Sequence, residues 1–343
     1  MKKGRIFSAD LYNEERIGRK FLTNSKPTLI SSNTERINPI ICRKASLKAQ
    51  SAMEYLMTYG WAILIIAIVL VALFSLGIFN SANFAPRAQP GSCEVLRNSA
   101  QTSLVGQCNG MLPEYVARVS FGSANNNSYT WNVTSQLNIP DLSQITLTFW
   151  YNQLTAVGCW PHVVGFGGFT DACGYDCFAV SVCSYQGNNE LIYNANTTGS
   201  SSTASAPTAY ISLNKWYFVA LTFSGNLSSN NLVSYLNGNP LGGANLKGTI
   251  PLASQKTPLI IGYCCTSGNG LISNVQIYNI SLSNSSIEAL YREGIGGAPI
   301  DINNLVGWWP LNGNANDYSG NSNEGTSTGA TYTSAWANGY SAP

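Results

Sequence analysis

The sequence predicts a mainly β protein, with an N-terminal transmembrane helix followed by a β-sandwich. Three observations carry this. Tyr55 to Phe79 is a run of 25 residues without a charged side chain, preceded by the basic residues Arg43, Lys44 and Lys48. Beyond it, short runs rich in β-branched and aromatic residues alternate with clusters of Gly, Asn and Ser. After Phe79 a single stretch, Ser283 to Arg292, has the pattern of a short helix, with Ser283 or Ser285 as its cap. Many strands, turn-rich joints and almost no helix point to two packed sheets.

Taken in order, the chain divides into a basic leader (1–49), a helix (50–80), a stalk (81–114), a sandwich domain (115–294) and a C-terminal segment (295–343). At about 1.5 Å per residue the charge-free run is roughly 37 Å long, enough for a hydrocarbon core of about 30 Å. Residues 1–49 hold 11 Lys and Arg against 4 Asp and Glu, and the remainder 7 against 12. That asymmetry is the positive-inside pattern: a single-pass protein of the cell membrane with its C-terminal domain outside. The basic block is a topology signal, so nucleic acid is not an expected partner. Pro86 and Pro90, among small and polar residues, end the helix and begin the stalk.

The residues at the mouth of the apolar run, Lys48 to Leu56, read KAQSAMEYL and lack the small-x-small pattern of an ordinary secretory cleavage site. They resemble the processing motif of archaeal type IV pilin-like proteins, which carry a class III signal peptide. The resemblance implies that a membrane-embedded prepilin peptidase cuts between Ala49 and Gln50 and leaves the apolar segment on the mature chain. The leader is longer than is common in that family. A carboxylate entering lipid is costly without a partner, and Glu54 is placed to neutralise the new Gln50 amine of a neighbouring helix. The implied partners are the peptidase, pilin-like subunits and the membrane, within a surface filament. The plainer alternative is an anchor that never polymerises, with Glu54 at the interface.

Cys42 lies in the leader, leaving Cys93, Cys108, Cys159, Cys173, Cys177, Cys183, Cys264 and Cys265. An even number outside the membrane favours disulfides, and Cys93 with Cys108 would close a short local loop. The spacings match no common zinc site, and His162 is the one histidine. Six N-glycosylation sequons follow the helix and none precedes it: Asn126, Asn132, Asn196, Asn226, Asn279 and Asn284.

Strand-like runs cover 145–151, 178–182, 216–223, 232–236, 259–263 and 275–278, several with period-two alternation. Asn237-Gly238 marks a hairpin turn. The order and spacing of WYFVALTF (216–223), YLNGN (235–239), LIIG (259–262) and LISNVQIYN (271–279) resemble the LamG-like, concanavalin A-like jelly roll. Many members of that family carry an Asp-Glu pair where this chain has Ser273 and Asn274, so acidic calcium ligands do not carry over there. In the C-terminal segment, LVGWWPL (305–311) and NGNANDYSGN (312–321) resemble the opening strands of such a domain, although here they come last. They are expected to complete the same sandwich, the alternative being a strand added to a neighbouring subunit.

Concanavalin A-like sandwiches include glycosidases, which need two carboxyl groups facing across the sugar. The acids of the sandwich, Asp141, Asp171, Asp176, Glu190, Glu288 and Glu293, are scattered and none alternates along a strand. No phosphate loop or dinucleotide fingerprint is present, so an enzyme is not expected and no cofactor is implied. Binding fits better: sugar sites combine aromatic faces with amides and hydroxyls. Candidate ligand contacts are Trp160, Tyr175, Tyr185 and Tyr193 near the Cys-rich insertion, against the alternative that they pack among its disulfides. Asp171, Asp176 and Asp317 are weak candidate calcium ligands, since aspartate is commoner in turns. The expected function is a pilin-like surface protein whose head binds a glycan or a surface protein.

Overall fold

The computed structural model describes residues 44–76, 86–110, 112–122, 130–158, 161–167, 177–198, 203–255, 258–264 and 268–343. These form two units, one ending at Val69 and one running from Leu70 to Pro343. Helix α1 (Lys44–Ser75) spans 32 residues and includes Ala49, Gln50 and Glu54. Ile63, Leu64, Ile65 and Ile66 are all exposed on it. Four successive positions cover a whole turn, so this part of the helix is apolar all round. Among the described residues no helix is long and apolar enough to cross a membrane. The charge-free stretch, however, continues to Phe79, beyond Leu76 where the described part ends.

After α1 come β1 (Arg87–Ala88), β2 (Cys93–Arg97), β3 (Thr102–Gly106), β4 (Leu112–Pro113), β5 (Val116–Ser120), β6 (Thr130–Ser135) and β7 (Gln144–Gln153). Next are β8 (His162–Phe166), β9 (Phe178–Tyr185), β10 (Asn188–Ala195), β11 (Ala204–Ile211), β12 (Trp216–Ser224), β13 (Leu232–Leu236) and β14 (Asn239–Ala244). The chain closes with α2 (Leu252–Gln255), β15 (Leu259–Cys264), β16 (Asn269–Tyr278), α3 (Asn284–Glu293), β17 (Leu305–Trp309), β18 (Thr326–Ser327) and β19 (Thr331–Thr333). One sheet has the order β11-β10-β9-β8-β15-β6-β18; the other has β14-β13-β12-β7-β16-β5-β19, with β17 also on β16.

Alternation along β7 shows how the sheets divide their residues. Ile145, Leu147, Phe149 and Tyr151 face the core between the sheets, joined there by Tyr217, Val219, Leu221 and Phe223 of β12. Trp150 of β7 and Trp216, Phe218 and Ala220 of β12 belong to a second buried cluster with Trp308, Trp336 and Tyr340. That second cluster lies on the outer face of the eight-stranded sheet, beneath α3. Ser283 caps α3 by accepting the Ser286 N–H at 3.2 Å, and Ile287 and Leu290 are its buried residues. Between β13 and β14, Asn237 and Gly238 have φ of 50° and 78°, the pair of positive values a two-residue hairpin turn needs.

The C-terminal segment adds strands to both sheets of its own sandwich: β17 pairs with β16, β18 with β6 and β19 with β5. Strand β16 makes room by splitting one edge. Its Asn269–Ile272 half pairs with β5 and its Val275–Tyr278 half with β17. Between them Asn274 takes φ 54°, a conformation asparagine tolerates better than most residues.

Residues 86–114 were expected to form a stalk and instead belong to the head. Strands β2 and β3 pair, and the Cys93–Cys108 disulfide staples them. The Val95 N–H donates to Tyr318 O at 2.8 Å, and Arg97 donates to Ser319 O, Ile302 O and Leu305 O at 2.7 to 2.9 Å. Asn312 accepts the Tyr115 N–H and donates to Ala88 O, both at 2.8 Å. The backbone groups a free stalk would leave to water are satisfied by the tail.

Candidate functional site

Along β12 the outward positions change character. Trp216, Phe218 and Ala220 pack into the aromatic layer, whereas the short side chains of Thr222 and Ser224, 2% and 6% exposed, lie at the base of a trough of about 660 Å³. Val233 and Tyr235 of β13 and Gly242 and Gly243 of β14 share its lining with them. Leu227, Asn230 and Asn231 of the β12–β13 loop border it, as do Gln144 and the segment Ser281–Asn284.

Both borders are held by hydrogen bonds. Thr146 Oγ1 donates to Ile280 O at 2.7 Å and accepts the Leu282 N–H at 2.9 Å, while the Ser281 N–H donates to Gln144 Oε1 at 3.2 Å. These contacts pin the segment across β7. In the loop, Asn231 Nδ2 donates to Leu246 O at 2.6 Å and its Oδ1 accepts the Leu246 N–H at 2.8 Å. Tyr235 donates its hydroxyl to Asn284 Oδ1 at 2.7 Å. Burial pushes that hydroxyl above the ordinary phenol range, opposed by a hydrogen bond with Thr222, so it remains a neutral donor. Among the described residues that line it, none is charged. The trough therefore offers hydroxyls, amides and one phenol, a set suited to a neutral, hydroxyl-rich ligand.

None of this lining was singled out as a ligand contact from sequence; Asn284 was named as a sequon alone. The available signal was the change from Trp216, Phe218 and Ala220 to Thr222 and Ser224 within one alternating run. The sequence-predicted contacts separate instead. Tyr185 stands at the end of β9, 67% exposed. Tyr193 is fully buried between the sheets, where its hydroxyl donates to Tyr235 O at 3.2 Å, so it is a core residue and not a ligand contact. Its position on β10 faces inward, which composition could not reveal. Trp160 and Tyr175 lie outside the described residues, as do Asn126, Asp171, Asp176, Cys159, Cys173 and Cys265.

Cys93 and Cys108 are bonded to each other, with Cα atoms 5.0 Å apart. Cys177 and Cys183 are also disulfide-bonded. Six residues along an extended chain separate them by roughly 20 Å, so they are not bonded to each other. Cys264 ends β15.

The sequons separate by burial. Asn132 is 1% exposed, and its amide joins the sheets by donating to Ser120 O and Gly262 O at 2.7 and 2.6 Å and accepting the Ser120 N–H at 3.0 Å. A side chain so placed cannot carry a glycan in the folded chain. Asn196 is partly buried, while Asn226, Asn279 and Asn284 are exposed.

Asp317 is 8% exposed and its carboxylate is fully engaged as an acceptor. Oδ1 takes the Trp308 and Ser319 N–H groups and Oδ2 takes Ser319 Oγ and the Asn323 N–H, all at 2.8 to 2.9 Å. It organises the turn after β17, the commoner role of aspartate, and its oxygens are spent there instead of on calcium. Asn274 is similarly spent: it accepts Trp308 Nε1 at 2.7 Å and donates to Gly297 O at 2.8 Å. His162 is 4% exposed and packs edge-on against Tyr263. Asp141 accepts the Ala253 N–H at the start of α2, Glu190 accepts Thr208 Oγ1, and Glu288 pairs with Arg292. Among the described residues no three His, Cys, Asp or Glu side chains cluster as a metal site.

Residues 123–288 match the family described as the concanavalin A-like lectin/glucanases superfamily, and the chain carries a LamG/concanavalin A-like jelly-roll domain. No curated protein matches the chain. Among solved structures it is similar to a heptameric SAP-like pentraxin from Limulus polyphemus, at 19% identity and TM-score 0.38, over 54% of this chain and 85% of that one. It is also similar to a putative carbohydrate binding protein from Bacteroides ovatus, at 15% identity and TM-score 0.42, over 68% and 66% of the two chains. The binding domain of botulinum neurotoxin DC follows at 13% identity and TM-score 0.37, over 59% and 51%. At such identities and scores these neighbours say nothing about what this chain binds.

Proposed function

We propose that the chain is a pilin-like cell-surface protein whose sandwich head binds a neutral glycan in the trough on the outer face of the eight-stranded sheet. The observation that carries the binding half is the lining: hydroxyls and amides around Thr222 and Tyr235, with no charged side chain among the described residues. No described residue lining the trough carries a carboxyl group, so the trough supports a reading of binding and offers no acid and base pair of the kind glycoside hydrolysis uses.

The assembly half rests on the sequence around α1. A helix apolar all round belongs in lipid or in a bundle, and the charge-free stretch to Phe79 has the length to span. Processing by a prepilin peptidase between Ala49 and Gln50 would leave Glu54 four residues from the new amine, placed to pair with that of a neighbouring subunit.

The trough is tested by comparing the parent with Thr222→Trp, which fills the floor, on an array of neutral oligosaccharides. Loss of binding is expected; unchanged binding would move the site elsewhere, first to the insertion holding Trp160 and Tyr175. Assembly is tested by the N-terminal peptide of protein from native envelopes, expected to begin at Gln50. A chain retaining Lys48 and Ala49 would leave the non-polymerising anchored alternative. Glu54→Ala is expected to insert normally and to be lost from filaments.

A further inference from the structure

The exposed sequons are unevenly placed. Asn284 itself lines the trough, and Asn226 lies between Ser224 and Leu227, both of which line it. Asn279, also exposed, does not. We infer that Asn226 and Asn284 are N-glycosylated and that their sugars cover the mouth of the trough, so that sequon occupancy sets the size of ligand that reaches Thr222 and Tyr235.

The amide of Asn284 is suited to this. Its Oδ1 is held by the Tyr235 hydroxyl at 2.7 Å, and no hydrogen bond from its Nδ2 occurs among the described residues. Transfer from a lipid-phosphate-linked sugar donor forms a bond between Nδ2 and the anomeric carbon. The anomeric C–O bond to phosphate breaks, one Nδ2 proton is lost and the lipid phosphate departs. The product amide keeps its carbonyl oxygen, so the Tyr235 bond survives the modification. Asn226 sits in an exposed turn closed by the Leu227 N–H on Ser224 O at 3.1 Å, with Ser228 exposed two residues on. Asn132 shows the opposite arrangement, with both amide atoms spent inside the fold.

Control of ligand access rests on the trough being the ligand site, whereas coverage by sugar does not, and the experiment separates the two. Protein from the native envelope is mapped for glycopeptides at Asn226, Asn279 and Asn284. Val233→Cys then places a thiol at a partly exposed position of the trough floor, and its alkylation is timed with a small maleimide and with a polymer-bearing maleimide, the labelled peptide being identified by mass. The background is compared with Ser228→Ala plus Ser286→Ala, which remove both sequon hydroxyls while keeping each asparagine, the Tyr235 bond and the Ser286 N–H at the cap. Asn226→Gln with Asn284→Gln provides a second route, and Asn279→Gln serves as the control.

The expected result is occupied Asn226 and Asn284, with the polymer reagent several-fold slower in the parent than in the sequon variants and the small reagent little changed. Unmodified Asn226 and Asn284, or equal polymer-reagent rates in parent and sequon variants, would overturn the inference. If labelling behaves as expected but no oligosaccharide binding responds to Thr222→Trp, coverage stands and the ligand reading alone fails.

Discussion

The two faces of the eight-stranded sheet come from the same strands and are finished in different ways. The inner face meets the seven-stranded sheet with aliphatic and phenyl side chains such as Leu147, Phe149, Val219 and Phe223. Among the described residues the outer face meets no second large sheet, only the β2–β3 hairpin, whose Val95 and Leu104 pack on it. Part of it is closed by α3 and the C-terminal segment over an aromatic layer of Trp150, Trp216, Phe218, Trp336 and Tyr340, and part is left open as the trough. The contrast teaches that period-two alternation states which residues share a face, but not whether that face becomes core, clamp or site.

The largest effect that probes both faces together is alkaline unfolding. Burial holds the hydroxyls of Tyr151, Tyr193 and Tyr278 well above the ordinary phenol range. Unfolded tyrosines titrate near pH 10, so the stabilisation from keeping these groups neutral is complete below about pH 10 and is lost as pH rises further. Tm is expected to be level from neutral to about pH 9 and to fall above about pH 10; a Tm unchanged to about pH 11 would mean that water reaches these hydroxyls in the native state.

Next come paired truncations on adjacent residues of β7. Phe149→Ala on the inner face and Trp150→Ala on the outer face are each expected to cost about 3 to 5 kcal/mol in denaturant unfolding. A cost below about 1 kcal/mol for Trp150→Ala would make the outer layer a cover and not a core. Opening the Cys93–Cys108 staple with a double Cys→Ala change closes no loop in the unfolded chain and is expected to cost about 3 kcal/mol. Hydrogen exchange should then rise first in β2 and β3.

Asp317→Asn turns an acceptor-only group into one that sets N–H against N–H, and about 1 to 3 kcal/mol should be lost, with altered Trp308 fluorescence. Smallest in stability is Ser224→Ala in the trough, which removes one buried hydroxyl and is expected to shift unfolding by no more than about 1 kcal/mol. Its oligosaccharide binding should nevertheless weaken, and intact binding would exclude Ser224 from the contacts.

Much of the fold was legible because its signals are local. Asn237-Gly238 makes its turn, Ser283 caps its helix, and the runs at 145–151 and 216–223 are strands. The candidate site was barely legible. Thr222 and Ser224 come from β12, Tyr235 from β13 and Asn284 from the start of α3, so no sequence window holds the trough.

By itself the sequence determined the strands at 145–151, 178–182, 216–223, 232–236, 259–263 and 275–278, the Asn237-Gly238 turn, the short helix and the charge-free stretch before Asn80, since each depends on side-chain shape, backbone preference or hydropathy within a few residues. Only the tertiary structure decided that Tyr193 is core while Tyr185 is surface, and that Asn132 is spent between sheets while Asn284 is exposed at the trough. It also decided that the tail runs back into its own sandwich. Burial and hydrogen-bond satisfaction are set by what lies opposite a residue, and in this sandwich the opposite residue comes from another strand, 42 positions away for Tyr193 and Tyr235 and 130 for Asn132 and Gly262.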